Sequence, residues 1–142
     1  MTTLHASQDS ELPPNQRNET ALVAGDRVRR NVLGDAHVDR SRSKATEFTR
    51  PLQDLVTEYC WGTVWTRPGL ELKTRSLLNI AMLTALGKPD ELKLHVHGAV
   101  RNGCTVEEIQ EVLMQAAIYC GVPAALEATR HAQVALEALD HE

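Results

Sequence analysis

The sequence predicts an all-α fold, and three observations carry that prediction. Apolar residues recur at spacings of three and four along most of the chain, and no stretch alternates with the period of two that a strand requires. Ala and Leu dominate the second half while aromatic residues make up only 4% of the whole, a bias toward packed helices over sheets. Helix punctuation is explicit: Gly34, Gly103 and Gly121 stand where helices must stop, and Thr105 followed three residues later by Glu108 is a capping box. The pattern amounts to about six helices.

Taken in order, residues 1–17 are polar, carry Pro13-Pro14 and show no periodicity. They read as a disordered or arm-like tail, with residues 18–142 forming one domain. The first helix is expected over 18–33, with Leu22, Gly25, Val28 and Val32 inward and Arg27, Arg29 and Arg30 near its end. Residues 35–41, DAHVDRS, read as a short polar connector, a kind of segment that often supplies site residues to a rigid scaffold. The next helix should start near Thr49, with Pro51 in its first turn and Phe48, Leu52, Leu55, Val56, Tyr59 and Cys60 giving it an apolar face. It should end at Trp61-Gly62, before a turn-rich connector that holds Trp65. Residues 71–86 are apolar almost all round, which marks a helix that is central or covered by a partner chain.

The stretch 91–125 is the best specified. Leu92, His95, Val96, Ala99 and Val100 share one helical face, and Lys93, His97 and Arg101 fall on the opposite, wet face. The helix after Thr105 repeats Ile109, Val112, Leu113, Ala116, Ala117 and Cys120, with Met114 and Ile118 as a second apolar strip. A last helix follows Pro123, carrying Ala124, Leu126 or Ala128, Ala132, Ala135, Leu136 and Leu139. Two apolar strips on one helix point to a homo-oligomer.

A chain of 142 residues can bury roughly 70% of its unfolded surface in a single core. A net charge of −4 and no dense Lys/Arg block argue against nucleic acid. The longest apolar run, 77–86, is too short to span a bilayer, and no apolar leader begins the sequence, so a cytoplasmic location is expected. Cys60, Cys104 and Cys120 form no C-x-x-C pair and read as reduced thiols packed as small hydrophobes.

No phosphate loop, H-E-x-x-H, G-x-S-x-G or paired His/Cys metal spacing is present. His95 and His97, two apart on a helix, face different ways and cannot share a metal. Glu91 and His95, four apart, can meet, and a neighbouring carboxylate fixes an imidazole's tautomer and raises its pKa. That is an acid–base pair, or else a core histidine satisfied by a backbone carbonyl. Trp61 and Trp65 are hydrophobic plugs or a pocket wall. The arginines near residue 30 complement a helix dipole or face a site.

Four segments together, VRRNVLGDAHVDRS, WGTVWTRPGLELKTRSLLNIAMLTAL, ELKLHVHGAVRNG and EEIQEVLMQAAIYCGVPAA, resemble the γ-carboxymuconolactone decarboxylases of protocatechuate catabolism. The wider superfamily shares the alkylhydroperoxidase-D-like helical fold, and its H-x-x-x-A-x-x-x-G pattern is met by His95, Ala99 and Gly103. The resemblance implies a cofactor-free decarboxylase without metal, commonly a homohexamer, acting on a dicarboxylate lactone. It implies His95, with Glu91, as proton donor or oxyanion partner, and Arg29, Arg30, Arg40 and Arg75 as candidate carboxylate binders beside Trp61 and Trp65. Two features depart from relatives. The C-x-x-C of the peroxidases is missing near residues 91–94, which removes the dithiol their cycle needs. The R-E-L of some relatives reads Arg75-Ser76-Leu77. A catalytically silent helical oligomer on the same fold, and a thiol peroxidase, are the alternatives.

Overall fold

The computed structural model describes residues 14–140, with side chains from Thr20 onward. The first thirteen residues of the expected tail lie outside the described residues. Among those described, helix follows helix with no strand: α1 (Pro14–Leu33), α2 (Asp35–Ser43), α3 (Arg50–Leu55), a π-helical segment (Val56–Val64), α4 (Leu72–Leu86), α5 (Pro89–Arg101), α6 (Val106–Tyr119) and α7 (Val122–Leu139).

Two hydrophobic clusters organise these elements. The larger lies among α4–α7 and is built on Ile80, Leu92, Val96, Ile109, Leu113 and the alanine ladder Ala128, Ala132, Ala135. The smaller lies where α1 meets the π-helical segment, with Val32, Leu33, Trp61 and Trp65 at its centre. The two backbones there touch: a Cβ on Gly25 would sit 2.0 Å from the Thr57 carbonyl oxygen, and one on Gly62 would sit 2.1 Å from that of Ala21. Only glycine allows this approach. α5 joins the halves, giving Leu92 and Val96 to the larger cluster and Leu94 to the smaller.

The α5–α6 connection follows its local code. Gly103 has φ +87°, a conformation that L side chains rarely adopt. The Thr105 hydroxyl accepts from Glu108 N at 3.1 Å and Thr105 N donates to Glu108 Oε2 at 2.9 Å, which satisfies two otherwise orphan donors.

Several expectations are corrected. α1 begins at Pro14, not at residue 18, and Pro suits a first turn because its missing N–H has no partner there anyway. The expected connector 35–41 is helical, a nine-residue α2 anchored by buried Val38. The apolar face expected for residues 48–60 is turned: Phe48, Leu52, Leu55 and Tyr59 are exposed, while Thr57 and Trp61 are buried. The π-type bond from Trp65 N to Cys60 O (2.9 Å) widens the helix there, and the stacked tryptophans rather than the aliphatic stripe choose the inward face. Finally, His97 is not on a wet face, because its Nε2 donates to the Ala135 carbonyl oxygen at 2.9 Å and ties α5 to α7. Cys120 and Leu126 also end up exposed.

The apolar character of residues 71–86 exceeds what the chain itself covers. Leu78, Met82 and Leu86 on α4 remain exposed, as do Met114, Ile118 and Tyr119 on α6.

Candidate active site

α5 carries His95 into the junction of the two halves. Its ring lies 6.2 Å from the rings of both Trp61 and Trp65, nearly parallel to the first at 7° and inclined 23° to the second. The tryptophans stack on each other at 4.7 Å. From α4, Asn79 Nδ2 approaches His95 Nδ1 at 3.4 Å. An amide nitrogen only donates, so Nδ1 is the acceptor and the ring proton is assigned to Nε2.

Burial is the main cause that pushes the His95 pKa down to about 4; the Glu91 charge pulls the other way and His37 adds to the fall. The expected raised pKa is therefore corrected. Glu91 is exposed on the first turn of α5 and forms no hydrogen bond with the ring, so desolvation outweighs its charge. At neutral pH His95 is an uncharged imidazole offering one N–H.

The four candidate arginines are placed very differently. Arg29 is 6% exposed. Its Nη1 donates to Thr57 Oγ1 (3.1 Å) and its Nη2 to Ser41 Oγ (3.2 Å) and Gln53 Oε1 (3.0 Å), all neutral partners. Burial first, and then the charge of Arg42, lower its pKa. Arg30 points to a set of carboxylates: Asp26 at 3.0 Å, Asp35 at 3.1 Å and Asp39 at 2.8 Å, which together raise its pKa. Arg40 is exposed on α2. Arg75, half-buried at the start of α4, donates to the Arg67 carbonyl oxygen at 3.0 Å.

Two residues of this neighbourhood had no role from sequence. Asn79 carried a signal, since it interrupts an otherwise apolar run. His37 is half-buried on α2, with a pKa lowered by burial and by Arg29, Arg40 and Arg101 in turn, and it lies within electrostatic reach of His95. Its signal was the polar density of residues 35–41. Among the described residues, no three His, Cys, Asp or Glu side chains converge as a metal-ligand set, and no helix is long and apolar enough to cross a membrane. A cavity of about 610 Å³, an apolar groove along α6 and α7, has none of the residues around His95 in its lining.

Comparison with known proteins decides the family. The model of the carboxymuconolactone decarboxylase family matches residues 50–134. The chain belongs to that family. It is 49% identical over 104 residues to a nitrosuccinic acid decarboxylase of Metarhizium robertsii, covering 73% of each chain. It is 41% identical over 107 residues to a 4-carboxymuconolactone decarboxylase of Acinetobacter baylyi, covering 75% of this chain and 80% of that one. A 4-carboxymuconolactone decarboxylase of Pseudomonas putida is 49% identical over 39 residues, 28% of this chain and 81% of that sequence. The carboxymuconolactone decarboxylase match contains Trp61, Trp65, Arg75, Asn79, Glu91 and His95, while Arg29, Arg30, His37 and Arg40 precede it.

Proposed function

We propose that this family member is a cofactor-independent carboxy-lyase that converts γ-carboxymuconolactone to the β-ketoadipate enol-lactone in protocatechuate catabolism. The observation that carries the mechanism is a neutral His95, tethered through Nδ1 by Asn79 and stacked beside two tryptophans. The substrate is a butenolide with one carboxylate on its γ-carbon and a spectator acetate arm. When the γ-carboxylate leaves as CO₂, the electrons of the broken C–C bond pass through the ring double bond into the lactone carbonyl. The product is a dienolate, so the substrate itself supplies the electron sink. The Nε2–H of His95 is suited to donate to that oxyanion, a contribution of about 3–4 kcal/mol for one preorganised donor. Of the two roles open to His95, oxyanion partner fits a pKa near 4 better than proton donor, because an imidazole neutral at pH 7 is a very weak acid. A proton on the α-carbon completes the reaction. Trp61 and Trp65 give the departing carboxylate a poorly solvated wall, and Glu91 sets the field on the ring.

Arginine suits the spectator carboxylate because its fork matches two oxygens. Arg30 is already engaged by three aspartates, which leaves Arg29 the best placed of the four, ahead of Arg40 and Arg75.

A second substrate is favoured by the 49% identity to the fungal enzyme. Nitrosuccinate losing the carboxylate beside its nitro group leaves a nitronate, another delocalised oxyanion that the same donor would hold. Purified protein given each substrate without added cofactor should release CO₂ from at least one. Release from neither supports the silent oligomer instead.

We also propose a homohexamer in the cytoplasm. The exposed apolar side chains of α4 and α6 support assembly, and three free cysteines fit a reducing compartment. Sedimentation showing a monomer at micromolar concentration would overturn the assembly.

A further inference from the structure

We propose that the cavity walled by Arg29, Arg42, Arg50, Gln53 and Thr57 is a binding site for a small molecule bearing a carboxylate. It holds about 270 Å³, room for a short dicarboxylate, and its walls come from α1, α2, α3 and the first turn of the π-helical segment.

The charge balance points to an anion. Arg29 is among the most buried polar side chains described, yet every hydrogen-bond partner it has is a neutral oxygen, and its Nε has none. The Asp26 charge reaches Arg29 but forms no ion pair with it, and a buried guanidinium without a directly paired carboxylate is expensive unless an anion completes it. Arg42 pairs with Asp26 at 2.8 Å, a carboxylate that Arg30 also uses. Arg50 forms no ion pair among the described residues, and the cavity's own lining offers one acid, Asp54. Gln53 accepts from both Arg29 and Ser41 through Oε1, so its amide N–H groups remain as donors.

This site extends the reading above, in which the spectator carboxylate needs an anchor. Thr57 lies one turn before Trp61 on the same helix, and His37 is within electrostatic reach of both Arg29 and His95. Two sources fit the chemistry: the substrate's own acetate arm, or a separate small carboxylate acting as an effector.

Succinate is the probe, and its binding is measured by calorimetry on the full chain without turnover. Succinate should bind the wild type. Arg50→Gln and Arg29→Lys should each weaken it at least about tenfold, the loss expected when a charge-assisted or forked contact goes. Arg130→Gln on α7 should bind like the wild type. Arg50 is exposed, so its variant keeps the test alive should Arg29→Lys fail to fold. Competitive inhibition of turnover by succinate assigns the cavity to the substrate's arm, and non-competitive inhibition assigns it to an effector; both retain the site. Wild type that binds no succinate, or binding unchanged in folded Arg50→Gln and Arg29→Lys, overturns it. A chain that binds succinate here yet turns over neither substrate keeps this inference and loses the proposed reaction.

Discussion

The core among α4–α7 and the core between α1 and the π-helical segment differ in what they tolerate. In the first, Ile80, Leu92, Val96 and Ile109 are 0–1% exposed. Its few buried polar groups are settled locally: the Thr84 hydroxyl donates to Ile80 O at 2.7 Å, and Ser76 Oγ accepts from Asn102 at 2.9 Å. In the second, two stacked tryptophans are flanked by a buried arginine with no carboxylate partner and by a histidine held neutral. The interior of the first region behaves as scaffold, and what it leaves open is apolar surface on α4 and α6. The second keeps a guanidinium without an ion pair and a ring N–H without a partner at the cost of stability, as the proposed anion site would.

His95→Leu should break this contrast most sharply. Turnover should fall at least about 100-fold with KM little changed, because Leu removes the Nε2–H donor, which matters only as charge moves. Steady-state kinetics beside a melting curve decides it, since a destabilised but fully active variant would return His95 to the scaffold.

Ile80→Ala tests the other half. A cavity in the larger core should cost about 2–5 kcal/mol in denaturant unfolding while the folded fraction keeps its kcat. A selective loss of kcat would mean that the two regions are not separable.

Acid should act on the site half. The folded His95 pKa of about 4 lies below the ordinary value of 6.5, so between the two the unfolded chain binds the extra proton. Its share of stability is complete above about pH 6.5 and lost as pH falls toward 4, by at most about 3 kcal/mol from a shift of this size. The lowered pKa of His37 acts in the same direction. Wild type should therefore lose more melting temperature than His95→Gln over that interval, and equal losses would contradict the buried neutral ring.

The smallest effect belongs to His97, which bridges α5 and α7. His97→Gln should lower stability by about 1 kcal/mol, one ordinary hydrogen bond, and leave kcat near that of the wild type. A fall in kcat comparable with that of His95→Leu would place both histidines in the chemistry.

The sequence alone determined the helical class, the Gly103–Thr105–Glu108 punctuation, the inner face of α6 and the placing of His95 on a buried side of α5. Those follow from 3.6-residue periodicity and from caps that close within one turn, both short-range properties. Gly25 on the inner side of α1 was legible for the same reason, and the family segments named Trp61, Trp65 and the arginines as candidates without separating one arginine from another. Tertiary structure decided the rest. Arg29 and Arg30 are neighbours in sequence, and only the arrival of Thr57, 28 residues later, separates a buried guanidinium from one held by aspartates at the surface. Asn79 meets His95 across 16 residues, and His97 finds Ala135 across 38. The polar 35–41 segment became a helix because Val38 found a buried seat. In each case the partner lies far along the chain, and no local pattern of polarity encodes which distant group desolvates a side chain or satisfies its hydrogen bond.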